Sequence, residues 1–140
     1  FVTTEAQEDE KAQKTSNKAK FCLKFHLIFV VKYRKKLLSI STIDSCIKSK
    51  ILSCQTKDFR IEVIETDKDH IHMLISCSPN VSVSQIVRLL KQETTVAIWN
   101  HYNLSNYFWK ERTFWSDGYF VCSIGNANEN TIRTYIENQG

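Results

Sequence analysis

Two histidines one residue apart, in Asp69-His70-Ile71-His72-Met73-Leu74-Ile75, are the side chains of this sequence best placed to do chemistry. The aliphatic residues around them predict a strand, and a strand turns successive side chains to opposite faces. His70 and His72 then share one face, and Ile71, Met73 and Ile75 the other. Same-face neighbours lie roughly 6–7 Å apart at a rise of about 3.3 Å per residue, a span that two ligands of one metal ion can close. The plain alternative is a pair of imidazoles that only decorates an open sheet face. Tyr135 and Gln139 form a second pair, one helical turn apart and so stacked on one side of a helix. The phenol oxygen is a latent nucleophile and the amide oxygen a hard metal ligand; ordinary packing is the alternative there.

Charge supplies a third kind of candidate. Lys32, Arg34, Lys35 and Lys36 put four cations in five residues around Tyr33, a mixture suited to phosphate contacts and base stacking. Arg88 and Lys91, three apart on a predicted helix, could extend that surface. A solvated loop and an ordinary outer helix face are the respective alternatives. Tyr107, Phe108, Trp109 and Trp115 could stack on unpaired bases or fill cores and subunit interfaces.

The elements that must position these groups follow from hydrophobic periodicity. From Lys20 onward, Phe21, Leu23, Phe25 and Leu27 alternate as a first strand. Ser41-x-x-Asp44 resembles a helix start, with Ile43, Ile47, Ile51 and Cys54 recurring on one helical face. Residues 59–65 alternate as a second strand, 66–69 read as a polar turn, and 70–76 return as a hairpinned third strand. Ser82-x-x-Gln85 can box-cap a second helix bearing Ile86, Leu89, Leu90, Val96 and Trp99. An aromatic-rich loop runs to about Trp115, and 119–124 read as strand four. Asn128 can cap a last helix with Ile132, Tyr135, Ile136 and Gln139. This order predicts an α+β chain: a ferredoxin-like or RRM-like split βαβ sandwich, an antiparallel sheet with helices on one face, plus a C-terminal helix that carries Tyr135.

The 140 residues, 42% hydrophobic, suit one domain with a real core. Three glycines and one proline leave no material for a Gly-rich phosphate loop. Residues 1–20 balance their charges and carry few apolar groups, which predicts a disordered or expression-derived N-terminal tail. The whole +4 net charge therefore belongs to the domain at 21–140, a mild pointer to a polyanionic partner. Five scattered cysteines without C-x-x-C point to a reducing, cytoplasmic setting. The longest apolar run, 27–31, is far short of the ~20 residues that cross a bilayer.

Four separated stretches together resemble a known family. They are Lys24-Phe25-His26-Leu27-Ile28-Phe29-Val30-Val31-Lys32-Tyr33-Arg34-Lys35-Lys36, then Asp69-His70-Ile71-His72-Met73-Leu74-Ile75, then Trp115-Ser116-Asp117-Gly118-Tyr119-Phe120-Val121-Cys122-Ser123-Ile124-Gly125, and Thr131-Ile132-Arg133-Thr134-Tyr135-Ile136-Glu137-Asn138-Gln139. In this order they are similar to the HUH-type single-tyrosine transposases of the insertion sequence 200/605 family, whose elements move as single-stranded DNA. The resemblance runs from about residue 20 to the end. It implies that His70 and His72, with Gln139, bind a divalent metal, Mg²⁺ or Mn²⁺, and that Tyr135 is the nucleophile of a 5′-phosphotyrosine link. It also implies hairpin-bearing single-stranded DNA as partner and a homodimer whose active sites can be shared between subunits. No membrane and no small-molecule cofactor are implied, and the setting is cytoplasmic, nucleoid-associated when DNA is bound. A domesticated relative that processes chromosomal repeat hairpins, or a non-catalytic single-strand or hairpin binder, would share the fold. Locally, Gln92 and Glu93 follow Lys91 where the family often has a small residue and further basic ones. Asp117-Gly118 stands where a proline-containing turn is frequent.

Overall fold

Alternation along the first and third strands sets the layers of the molecule. The computed structural model describes residues 23–109, 111–124 and 136–137. In chain order it contains β1 (Leu23–Val30), α1 (Ser41–Ser53), β2 (Phe59–Asp67), β3 (His70–Cys77), α2 (Val83–His101), a single helical turn α3 (Ser105–Phe108) and β4 (Phe120–Ser123). The sheet order is β2-β3-β1-β4, with every neighbouring pair antiparallel. β1 and β2 therefore run in the same direction with β3 between them, which is the expected split βαβ arrangement. The last predicted helix, around Tyr135 and Gln139, lies outside the described residues apart from Ile136 and Glu137.

Phe25, Leu27 and Phe29 of β1 meet Ile71, Met73 and Ile75 of β3 in one core, closed by Ile43, Ile47 and Ile51 of α1 and by Ile86, Leu90 and Ile98 of α2. A period of two on the strands thus faces a period near four on the helices, and both apolar sets are covered. On α2 the buried stripe is Ile86, Val87, Leu90, Thr94 and Ile98, whereas the expected Val96 is 53% exposed. Thr94 can replace an aliphatic residue because its hydroxyl is satisfied. It donates to the Leu90 carbonyl at 2.7 Å and accepts from Trp115 Nε1 at 2.8 Å.

The two helix starts differ. Ser82 and Gln85 form the expected reciprocal box, Gln85 N donating to Ser82 Oγ at 3.1 Å and Ser82 N to Gln85 Oε1 at 2.8 Å. At α1 the helix start expected at Ser41 lies one residue earlier, with Ile40 as N-cap and no side-chain cap. Asp44 accepts from Thr66 Oγ1 at 2.6 Å and pairs with Lys48 at 3.2 Å, tying α1 to β2.

The Thr94–Trp115 bond anchors the segment leading into β4. Thr94→Val would leave the buried indole N–H without its acceptor, so we expect a loss of about 1–3 kcal/mol in a urea unfolding curve. An unchanged midpoint would show that the bond contributes nothing.

Candidate active site

The register of β3 is held from both sides. Ile71, Met73 and Ile75 are fully buried against the helices, so a one-residue slip would drive His70 and His72 into that core. The opposite face of β3 presents His70, His72, Leu74 and Ser76. The two imidazoles lie with ring centroids 4.7 Å apart and planes at 70°, close enough to serve one cation.

Each ring is oriented by a neighbour. Asp69, 6% exposed, takes His70 Nδ1 at 2.8 Å on Oδ1 and Arg34 Nε at 3.0 Å on Oδ2. Burial acts to raise the Asp69 carboxyl, but the hydrogen bonds from His70 and Arg34 and their charges outweigh it and hold it below its ordinary value. An ionised carboxylate accepting from Nδ1–H directs the lone pair of His70 Nε2 outward, the usual arrangement around a ligating histidine. Arg34 reaches Asp69 from an unusual backbone. Tyr33 and Arg34 are consecutive left-handed residues, with φ of 61° and 52°, a conformation that costs non-glycine residues about 1–2 kcal/mol each.

His72 is 5% exposed. Burial, with the neighbouring His70 and His26, pushes its pKa from 6.5 down to about 4. At neutral pH it is uncharged, the form in which an imidazole can bind a metal. On β1, His26 Nε2 lies 3.1 Å from His72 Nδ1. Periodicity singled out neither His26 nor the bridging role of Asp69. The available signal for His26 was its alternation with the core residues Phe25 and Leu27, which places it on the histidine face.

The donor set suits a divalent cation in chemistry but is incomplete here. Among the described residues no three His, Cys, Asp or Glu side chains form a metal-holding group. Two imidazoles remain, His72 uncharged at neutral pH and His70 oriented by a buried carboxylate. Tyr135 and Gln139 lie outside the described residues. Ile136, next to Tyr135, is fully buried against Val63 and Leu74, with Ile124 packed alongside. Leu74 shares its strand face with His72, so that face, expected to be open, is partly covered by the residue following Tyr135.

The expected nucleic-acid contacts separate into several roles. Lys32 is engaged by Glu111 at 2.9 Å, Arg34 by Asp69, and Tyr33 is 64% exposed. Lys36 and Arg88 are exposed and Lys35 is half-buried. Lys91 is drawn inward: its ammonium donates to the carbonyls of Ser116, Asp117 and Gly118 at 2.7, 3.1 and 2.9 Å, and burial lowers its pKa. It braces the turn before β4. An open groove of about 440 Å³ runs between α2 and residues 112–117, with Arg88 and Arg112 on its walls. Phe108 and Trp115 are buried, whereas Tyr107 and Trp109 are 41% and 81% exposed.

Because Asp69 orients His70, Asp69→Ala is expected to weaken Mn²⁺ binding about 10–100-fold, as read from the free-Mn²⁺ resonance in a titration. Unchanged affinity would remove Asp69 from the site.

The family model described as "Transposase IS200 like" matches residues 19–139. The transposase for insertion sequence element IS200 of Salmonella typhimurium is 30% identical over 119 residues, covering 83% of this chain and 76% of that protein. The ISDra2 transposase TnpA of Deinococcus radiodurans is 29% identical over 120 residues, 84% of each chain. A crystal structure of a transposase candidate from Deinococcus radiodurans superposes with a TM-score of 0.65 at 25% identity, covering 84% of this chain and 90% of the other. A REP-associated tyrosine transposase bound to a REP hairpin matches the fold with a TM-score of 0.63 at 15% identity, covering 85% and 67%.

Proposed function

The chain belongs to the IS200-like transposase family, and on that premise we propose that it cleaves and rejoins single-stranded DNA at hairpin-bearing element ends through a 5′-phosphotyrosine link on Tyr135. The observation that carries the reading is the His70–His72 pair, one ring held by Asp69, on the same sheet face that buries Ile136 beside Tyr135. A phosphoryl-transfer centre needs a charge-stabilising group and a nucleophile at one place; the histidine pair on this face, and the burial there of the residue next to Tyr135 in sequence, support that reading.

His70 and His72, with Gln139, would hold Mg²⁺ or Mn²⁺. When bound, such an ion supplies Lewis-acid stabilisation of charge on the scissile phosphate. Tyr135 Oη forms the new P–O bond as the P–O3′ bond breaks, and the leaving 3′ oxygen takes up a proton. One phosphodiester replaces another, so a later attack by a 3′-OH can reverse the link without ATP. A free phenol has a pKa near 10, so the site must favour phenolate as it attacks. The DNA path is assigned to Tyr33, Arg34, Lys35, Lys36 and the Arg88–Arg112 groove, where cations stand beside the exposed Tyr33 ring and along the groove walls. Arg34 stays exposed on that surface while its Nε bonds Asp69, whereas Lys32 and Lys91 act through the partners that engage them. A hairpin, the ligand of the REP-associated fold neighbour, is the kind of DNA we assign to it.

The homodimer belongs to the same proposal. β4 is an edge strand among the described residues, and Phe120 and Val121 on it are 65% and 47% exposed. An edge with apolar side chains is suited to a second copy. Among the described residues no helix is long and apolar enough to cross a membrane, and the proposed place of action is the cytoplasm, at the nucleoid when DNA is bound.

The deciding experiment incubates the full chain with single-stranded oligonucleotides bearing its element's ends and Mg²⁺ or Mn²⁺, followed by denaturing electrophoresis. A covalent protein–DNA adduct and a free 3′-OH fragment are expected. Binding without an adduct under any metal would instead identify a hairpin-binding module.

A further inference from the structure

We propose that His26 is a positioning residue: it accepts the Nδ1 proton of His72 and thereby makes Nε2 the metal-ligating nitrogen of that ring. The inference rests on the reading of His70 and His72 as metal ligands and extends the site to a second strand.

Strand parity brings His26 to the site. Phe25, Leu27 and Phe29 point into the helix-side core, so His26 points to the other face of β1. In the β1–β3 ladder His26 is opposite Leu74, and His72 is opposite Ile28. The two histidines are thus diagonal neighbours on one face, at a separation of about 7–8 Å that long side chains can bridge. Their ring planes differ by 14°, their centroids are 5.3 Å apart, and His26 Nε2 lies 3.1 Å from His72 Nδ1. Adding one ring radius at each end of the N···N contact recovers the centroid separation. The rings therefore lie edge to edge in nearly one plane, the geometry of a hydrogen bond and not of a face-to-face stack.

Counting protons decides its direction. A neutral imidazole has one N–H and one lone pair. If His26 donated to His72 Nδ1, the remaining proton of His72 would sit on Nε2, and neither nitrogen could bind a cation without a tautomeric change. With the proton on His72 Nδ1, donated to His26 Nε2, the lone pair of Nε2 is set for the metal and the proton of His26 resides on Nδ1. Asp69 performs the same service for His70 with a carboxylate. The two ligating rings are thus oriented from different elements, His70 by its chain neighbour and His72 from β1.

The test uses the full chain without DNA and compares wild type with His26→Leu and His26→Gln. Mn²⁺ affinity is read from the free-ion resonance, and the histidine tautomers from ¹⁵N–¹H spectra of the Mg²⁺-loaded protein. Wild type should show His72 in the Nδ1–H form. His26→Leu should bind Mn²⁺ about 10–100-fold more weakly, and His26→Gln, whose amide oxygen can accept in place of Nε2, should recover most of the affinity. Equal affinity in folded His26→Leu, a His72 Nε2–H tautomer in wild type, or a His26→Gln protein as weak as His26→Leu would each overturn the proposal. Should His26→Leu fail to fold, the wild-type spectrum and His26→Gln still decide. Wild type that binds no Mn²⁺ removes the metal reading itself, whereas wild-type binding unaltered by both substitutions removes only the role of His26.

Discussion

Tyr135→Phe protein should bind hairpin-bearing single-stranded DNA as wild type does and form no denaturant-resistant adduct. The substitution deletes one oxygen and keeps the ring, so shape and neighbouring packing, including that of Ile136, are preserved. With the attacking atom gone, the covalent step has no substitute on that side chain, and losses on the order of 10⁶-fold are known when a covalent nucleophile is removed. The chain has four other tyrosines, Tyr33, Tyr102, Tyr107 and Tyr119. An adduct that persists in Tyr135→Phe and maps to one of them would overturn the assignment. Tyr33 is the rival to check first, since it is 64% exposed and adjoins Arg34, which contacts Asp69.

The second large effect concerns the histidine pair. His70→Ala and His72→Ala are each expected to abolish measurable Mn²⁺ binding and to slow adduct formation about 10²–10³-fold, the scale on which removing one preorganised electrostatic group acts. DNA affinity and its salt dependence should be unchanged in His72→Ala, because a ring whose pKa is pushed down to about 4 carries no charge at neutral pH. Salt dependence reports phosphates neutralised by cations, and an uncharged ring neutralises none. The contrast separates metal chemistry from substrate binding. Metal-dependent cleavage at wild-type rate in either variant would sink the reading, whereas a parallel loss of DNA binding would point to a structural defect.

Much of the scaffold was legible because its signals are local. Backbone geometry makes side chains alternate on a strand, so the sorting of His70 and His72 away from Ile71, Met73 and Ile75 follows from the order of residues alone. The same holds for Ile43, Ile47 and Ile51 on α1 and for the Ser82–Gln85 box, whose partners are three residues apart. Where expectation and structure diverge, a distant partner is responsible. On α2 the buried line runs through Thr94 and leaves Val96 outside it, and the Thr94 hydroxyl is tolerated there because Trp115 supplies a donor. Asp44 turns from its own helix start to Thr66 on β2. Lys91, read with Arg88 as an extension of the phosphate-contacting surface, is engaged by three carbonyls of 116–118 that periodicity could not have placed beside it.

The sequence by itself determined the α+β order of elements, the family, and which side chains of β3 face away from the helices. Only the tertiary structure decided what stands next to those side chains. Antiparallel pairing of β3 with β1 sets His26 against His72 across 46 residues of chain, and the left-handed turn at Tyr33 and Arg34 returns a guanidinium to Asp69. Periodicity specifies a face because it is written in successive backbone dihedrals. It does not specify a neighbour, which depends on sheet order and register and hence on how the whole core closes.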